Sequence, residues 1–195
     1  MSLIPPFELG VWNAWILTLW LLLPFVVLSF VIKIPETEEG KSSTVSSKTE
    51  RIACLAYHIM GFLIIIYSVF LSLKLGTTWL YAGLAIYLLG MIMYMIVWVS
   101  FATTPLDREP VVKGLYRYSR HPMYVASFIA FIGTGIASAS WLVLLLSALY
   151  MVLIVIAVPA EERFLVKQYG DAYRQYRDKT PRWIGIPKSR KKMEG

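Results

Sequence analysis

A single cysteine, Cys54, leaves no partner for an internal disulfide and no basis for a cysteine-based metal motif. Only two histidines are present, His58 and His121, so no His-rich metal cluster is available either. The eight methionines are scattered and form no metal stripe, so no metal site is expected. Charge is scarce as well, at 16% of residues, and the 39 residues from Pro122 to Ala160 contain no Asp, Glu, Lys or Arg. Nowhere is there a polar stretch large enough for a soluble nucleotide-binding domain.

What fills the chain is hydrocarbon. Of its 195 residues, 57% are hydrophobic and 14% aromatic, with a mean hydropathy of +0.61. Soluble domains are about 45–50% apolar. The apolar residues lie in long blocks without amphipathic periodicity, which excludes a soluble protein with a large core. A membrane span needs roughly 20 apolar residues. Residues 11–32, 52–73 and 79–102 each supply one, the first with Trp12, Trp15 and Trp20 as interface anchors and Pro24 as a bend. The first block is too long for the apolar region of a cleavable signal and lacks a basic segment before it, so it reads as a retained anchor. The uncharged run after Pro122 would make one helix of about 58 Å, too long for one crossing. A bend is placed at Gly133-Thr-Gly135 and Ser138-Ala-Ser140, giving helices over 122–137 and 140–159. The expected fold is an all-α integral membrane protein of five transmembrane helices, the last two forming a helical hairpin. A cytoplasmic connector and a C-terminal tail complete it.

The net charge of +7 is spread unevenly. Eighteen of the 19 basic residues lie in 33–51, 103–122 or the tail after 160, against Lys74 alone on the other side. The positive-inside rule then places the N-terminus outside, with those three segments cytoplasmic. Such charge on a membrane protein reports orientation and anionic headgroups, and no nucleic-acid partner is expected. Gly61, Gly83 and Gly90 are expected at close helix contacts, His58 in a hydrogen-bonded packing role, and loop 33–51 is assigned no chemistry.

Two polar patches flank the last helix pair on the same side. One is Gly114-Leu-Tyr116, followed by Arg120-His121-Pro122-Met123-Tyr124; the other is Glu161-Glu162-Arg163. A hairpin brings its ends together, so the patches are expected to meet. Pro122 suits the first helical turn, where its missing N–H costs nothing. The free N–H groups of that turn and the helix dipole favour an anion. The same patch also fits a basic–aromatic belt anchoring a helix end, and the two glutamates fit a solvated pair. Adjacent carboxylates point about 100° apart around a helix, so at most one of the two is expected to face the His121 patch.

These strings, continued by Phe164-Leu165, Tyr169-Gly170, Tyr173 and Tyr176, resemble the isoprenylcysteine carboxyl methyltransferase family in a compact prokaryotic or archaeal five-span version. They are also similar to the related phospholipid N-methyltransferases. The resemblance covers about 90–187, within a single membrane-embedded methyltransferase domain over 1–195. It implies S-adenosyl-L-methionine as methyl donor and S-adenosyl-L-homocysteine as product. It also implies a lipid-linked or prenyl-cysteine acceptor drawn from the bilayer, and an active site at the cytoplasmic face. Carried over by position, Val111, Tyr116, His121, Pro122, Met123, Tyr124 and Glu161 would bind the donor. Arg120 would orient an acceptor carboxylate, and Glu161 and Glu162 complete the catalytic set, Glu162 serving as base if the acceptor were an amine. Where eukaryotic relatives carry an arginine four residues before the equivalent of Glu161, this chain has Ala157. The alternatives are a phospholipid amine N-methyltransferase and an NADPH-dependent sterol-type reductase, whose C-terminal helical core is similar.

Overall fold

A computed structural model describes residues 10–22, 47–106 and 109–187. Within these, all regular elements are helical: α1 (Lys48–Ser68), α2 (Thr78–Ala102), a 3₁₀ turn (Gly114–Arg117), α3 (Pro122–Ala137), α4 (Trp141–Tyr169) and α5 (Asp171–Lys179). Helices α1, α2 and α4 are long and apolar enough to cross a membrane, and α3 is a shorter apolar helix. The described residues are those of a helical integral membrane protein. Of the expected first span, residues 15–22 are helical, while 23–32, Pro24 among them, and most of loop 33–51 lie outside the described residues.

Helix α1 is displaced toward the N-terminus relative to the expected 52–73. It starts at Lys48 because Ser47 and Glu50 form a capping box, each side chain bonding the other's backbone N–H. It stops at Ser68 because the chain beyond it pairs elsewhere. Asn13 Nδ2 donates to the Val69 carbonyl at 2.7 Å, Ala14 N to that of Leu71 and Leu73 N to that of Trp12. The apolar residues 69–73 thus lie in a connector held by the N-terminal segment.

Helix α2 packs closely on α3, α1 on α4, and α3 on α4. Glycines set the α2–α3 distance. A Cβ on Gly83 would stand 2.2 Å from the Ala137 nitrogen, and one on Gly90 would stand 2.6 Å from that of Ala130. Gly133 does the same from the opposite helix, its Cβ falling 2.4 Å from the Tyr87 nitrogen. Gly133 and Gly135 therefore remain helical and serve packing, while the reversal is made by 138–140 alone. Ala139 takes a φ of 52° there, and the Ser140 side chain caps α4 by accepting from Val143 N at 3.4 Å. Gly61 is different, since a Cβ there would make ordinary contact with Tyr150 at 3.7 Å.

Helix α4 runs 29 residues, about 43 Å, through Pro159 and past its apolar part. Its polar last turns carry Glu161 and Glu162 beyond the span, where α5 and the segment 181–185 fold back onto the connector before α3.

Candidate active site

His121 is the N-cap residue of α3 and Pro122 its first residue, and no side chain caps this helix end. The first turn therefore presents free N–H groups with the positive end of the helix dipole. The connector reaches this point through Gly114, whose φ of 61° favours glycine and whose Cβ would stand 2.3 Å from Ser100 Oγ. From the other side α4 delivers its glutamate pair.

Both carboxylates face His121, whereas one was expected to turn away. Nε2 of His121 lies 3.2 Å from Glu162 Oε1, and Nδ1 lies 3.8 Å from Glu161 Oε2. A carboxylate only accepts, so the hydrogen bond to Glu162 assigns the proton to Nε2. That leaves Nδ1 turned toward Glu161 beyond hydrogen-bond range. The two glutamates have different surroundings. Glu162 is buried and also meets Arg120 Nη1 at 3.2 Å, Arg182 Nε at 3.1 Å and Arg182 Nη2 at 2.7 Å. Burial would raise its carboxyl, but the His121 and Arg182 hydrogen bonds and the Arg120 charge outweigh it and hold the group down to about 2. Glu162 is thus the hub of an ion-pair cluster, and a carboxylate held so firmly ionised is a weak proton acceptor. Glu161 is 42% exposed and accepts from Tyr124 Oη at 3.0 Å. It is the carboxylate of the pair open to a ligand.

The remaining expected residues differ in what they touch. Burial, and after it the Glu161 carboxylate, push the Tyr116 phenol above its ordinary range. Pro122 is buried, Met123 packs on the apolar core, and Val111 is buried in the connector. Arg120 is 10% exposed, and its Nε finds no acceptor among the described residues. An open polar groove of about 520 Å³ lies on the Glu162 side, lined by Arg120, Glu162, Arg177, Asp178 and Arg182.

Two residues escaped the sequence reading. Arg182 closes the ionic hub, and the Trp183 ring lies 6.0 Å from that of His121. Their segment is fixed by Arg120 N donating to the Pro181 carbonyl, Gly185 N to that of Tyr118, and Ser119 Oγ to that of Arg182. Helix α5 docks beside it, Tyr176 Oη donating to the Tyr116 carbonyl at 2.7 Å. Arg182 is one of ten basic residues in the tail, and nothing in the sequence distinguishes it. Trp183 carried a signal, as a lone tryptophan in a polar tail. His58 is exposed, its Nδ1 2.8 Å from the Cys54 carbonyl oxygen, and Cys54 is exposed and not packed in the core.

Fold and site together define a helical membrane protein with a paired-carboxylate, histidine and arginine cluster at an uncapped helix end. The phospholipid methyltransferase family matches residues 56–172, and the chain belongs to that family. It is 39% identical over 82 residues to protein-S-isoprenylcysteine O-methyltransferase of Schizosaccharomyces pombe, covering 42% of this chain and 34% of that protein. It is 35% identical over 79 residues to methanethiol S-methyltransferase 1 of Bradyrhizobium diazoefficiens, covering 40% of this chain and 26% of that protein. The methanethiol S-methyltransferase of Crocosphaera subtropica is 35% identical over 81 residues, covering 42% and 30% respectively. The matches thus span about a third or less of each relative's length.

Proposed function

We propose that this chain transfers a methyl group from S-adenosyl-L-methionine to the carboxylate of an isoprenylcysteine or similar lipid-linked acceptor at the cytoplasmic membrane face. The observation that carries the reading is Glu161. It is a half-exposed carboxylate beside the free Nδ1 of His121 and an uncapped helix end, in a chain of a methyltransferase family.

The residues fit the donor. Its methionine part has an ammonium and a carboxylate; Glu161, with the proton-free Nδ1 of His121 as a second acceptor, would take the first, and the α3 N-terminus the second. Tyr116, Met123 and Tyr124 would flank it, with Val111 and Pro122 behind them. When bound, the donor supplies an electrophilic methyl on a cationic sulfur. Arg120 then has the task of orienting the acceptor, since its buried Nε lacks an acceptor and a guanidinium fork matches a carboxylate. A carboxylate is already ionised at neutral pH and needs no base. Placement of the acceptor oxygen in line with the methyl carries the rate, and well-oriented reactants reach large effective molarities. The trapping of Glu162 in an ionic hub suits such a base-free transfer. The excess of basic residues on one side supports a cytoplasmic site with the N-terminus outside.

A small thiol is the second reading, favoured by the names of two of the three relatives. A thiol must lose a proton to act as nucleophile, and Glu161 is the available carboxylate. The test is incubation of the detergent-purified chain with labelled donor and, in parallel, a farnesylated cysteine analogue or methanethiol. A base-labile methyl ester from the first supports the primary reading, a volatile thioether from the second supports the other, and neither product overturns both.

A further inference from the structure

Tyr57 of α1 takes no part in the cluster above, yet its hydroxyl lies 3.3 Å from that of Tyr124. The direction of this contact is determined by chemistry. Glu161 can only accept, so the single hydroxyl proton of Tyr124 is committed to the 3.0 Å bond with Glu161 Oε2. Tyr124 Oη must then accept from Tyr57. Tyr57 Oη in turn faces Cys54 Sγ at 3.9 Å. The result is a one-way chain from α1 through α3 to α4, ending on the open carboxylate.

The Tyr57 ring is held firmly enough to aim this chain. It is 9% exposed. His58 stacks on it at 4.1 Å, and Tyr124 and Tyr150 meet it edge-on at 5.8 and 6.1 Å. Glu161 itself, in contrast, is half-exposed, and Tyr124 supplies the one hydrogen bond it accepts among the described residues. A donor that is itself hydrogen-bonded is polarised, and in a dry site such chains strengthen cooperatively.

We propose that Tyr57 is a positioning residue for the methyl-donor site, orienting Tyr124 and through it the Glu161 carboxylate that receives the donor's ammonium. The inference rests on the reading of Glu161 given above. It extends the site to the first of the described membrane-spanning helices, which also meets α4 through the Glu50–Arg163 ion pair.

The test is calorimetric binding of S-adenosyl-L-homocysteine to the full chain in detergent. The proteins compared are wild type, Tyr57→Phe, Tyr124→Phe and the double variant, with Tyr87→Phe as a control. Phe keeps the ring packing in each case. Tyr87 Oη makes a buried bond of 2.6 Å to the Leu17 carbonyl, so its loss costs stability without touching the chain to Glu161. Tyr57→Phe is expected to weaken binding about threefold to tenfold. In the Tyr124→Phe background it should add less than about twofold, because the relay is already cut. The donor KM should rise with kcat little changed. Unchanged affinity in Tyr57→Phe overturns the proposal, as does an undiminished effect in the Tyr124→Phe background or an equal loss in Tyr87→Phe. Absence of binding by the wild type overturns the functional reading itself, and the proposal with it.

Discussion

Arg182 grips both oxygens of Glu162, with Nε 3.1 Å from Oε1 and Nη2 2.7 Å from Oε2. This fork is a side-chain bond between the segment 181–185 and α4, and the two-point geometry is one that arginine makes and lysine does not. Arg182 is 40% exposed, so solvent screens part of its worth. Arg182→Lys should cost about 1–2 kcal/mol and weaken donor binding. Faster hydrogen exchange at residues 181–185 than in wild type is the expected signature, and unchanged exchange there counts against the fork as the fastening.

The neighbouring glutamates should separate stability from function. Removing Glu162 strands the buried Arg120 guanidinium and His121 imidazole and releases the half-exposed Arg182, and breaking such a buried cluster costs about 3–5 kcal/mol. Glu161→Ala removes a half-exposed carboxylate with one hydrogen bond and should cost under about 1 kcal/mol. Thermal unfolding in detergent should therefore drop steeply for Glu162→Ala and little for Glu161→Ala. Calorimetry should show Glu161→Ala losing most of its affinity for S-adenosyl-L-homocysteine. The reverse ranking in the two assays would exchange the roles of the pair.

Acid should reach the fold through the same hub. The Glu162 carboxyl is held down to about 2 from an ordinary 4.5. A depressed folded-state value stabilises the protein above the unfolded value and is lost as pH falls. About 3 kcal/mol should be present above pH 4.5 and disappear progressively toward pH 2. The melting temperature of the wild type should decline across that window. Glu162→Gln, already without the charge, should start lower and show a shallower decline.

Much of the helical frame was legible because the signals were local and redundant. The span expected at 79–102 is Thr78–Ala102, and the helix expected at 122–137 is the shorter apolar helix Pro122–Ala137, where a proline starts the helix and 138–140 ends it. At α1 the apolar run misled, since residues 69–73 satisfy their backbone bonds by pairing with 12–14, a contact between distant parts of the chain. The start of α1 is legible in the Ser47-to-Glu50 spacing, a capping box at the end of a polar segment that otherwise has the composition of a loop. At the site, the string from Arg120 to Tyr124 and the glutamate pair announced themselves by chemistry. Arg182 did not, because one arginine in a basic tail differs from its neighbours only by where the chain folds back. Tyr57 was hidden for a related reason, since a tyrosine in an apolar span looks like packing until its hydroxyl is seen to have a partner.

Glycine at 83 is a matter of backbone contact, and this separates it from Gly61. A Cβ at 83 would meet the nitrogen and Cα of Ala137 at 2.2 and 2.6 Å, and the Gly133 carbonyl oxygen at 2.6 Å. None of these atoms is the end of a flexible side chain, so α2 and α3 would have to move apart. Overpacking of this kind costs about 1–3 kcal/mol or more. Because α3 carries His121 and Tyr124 at its far end, a shift of its axis should also weaken donor binding. At Gly61 the added methyl would make one ordinary contact with Tyr150, and replacing a helical glycine by alanine is favourable by about 0.5–1 kcal/mol. Gly83→Ala should therefore lower the melting temperature and the affinity for S-adenosyl-L-homocysteine together, whereas Gly61→Ala should leave affinity unchanged and the melting temperature equal or higher. Equal melting temperatures for Gly83→Ala and wild type would mean that the two helices tolerate separation, and that their close approach does not set the position of the site.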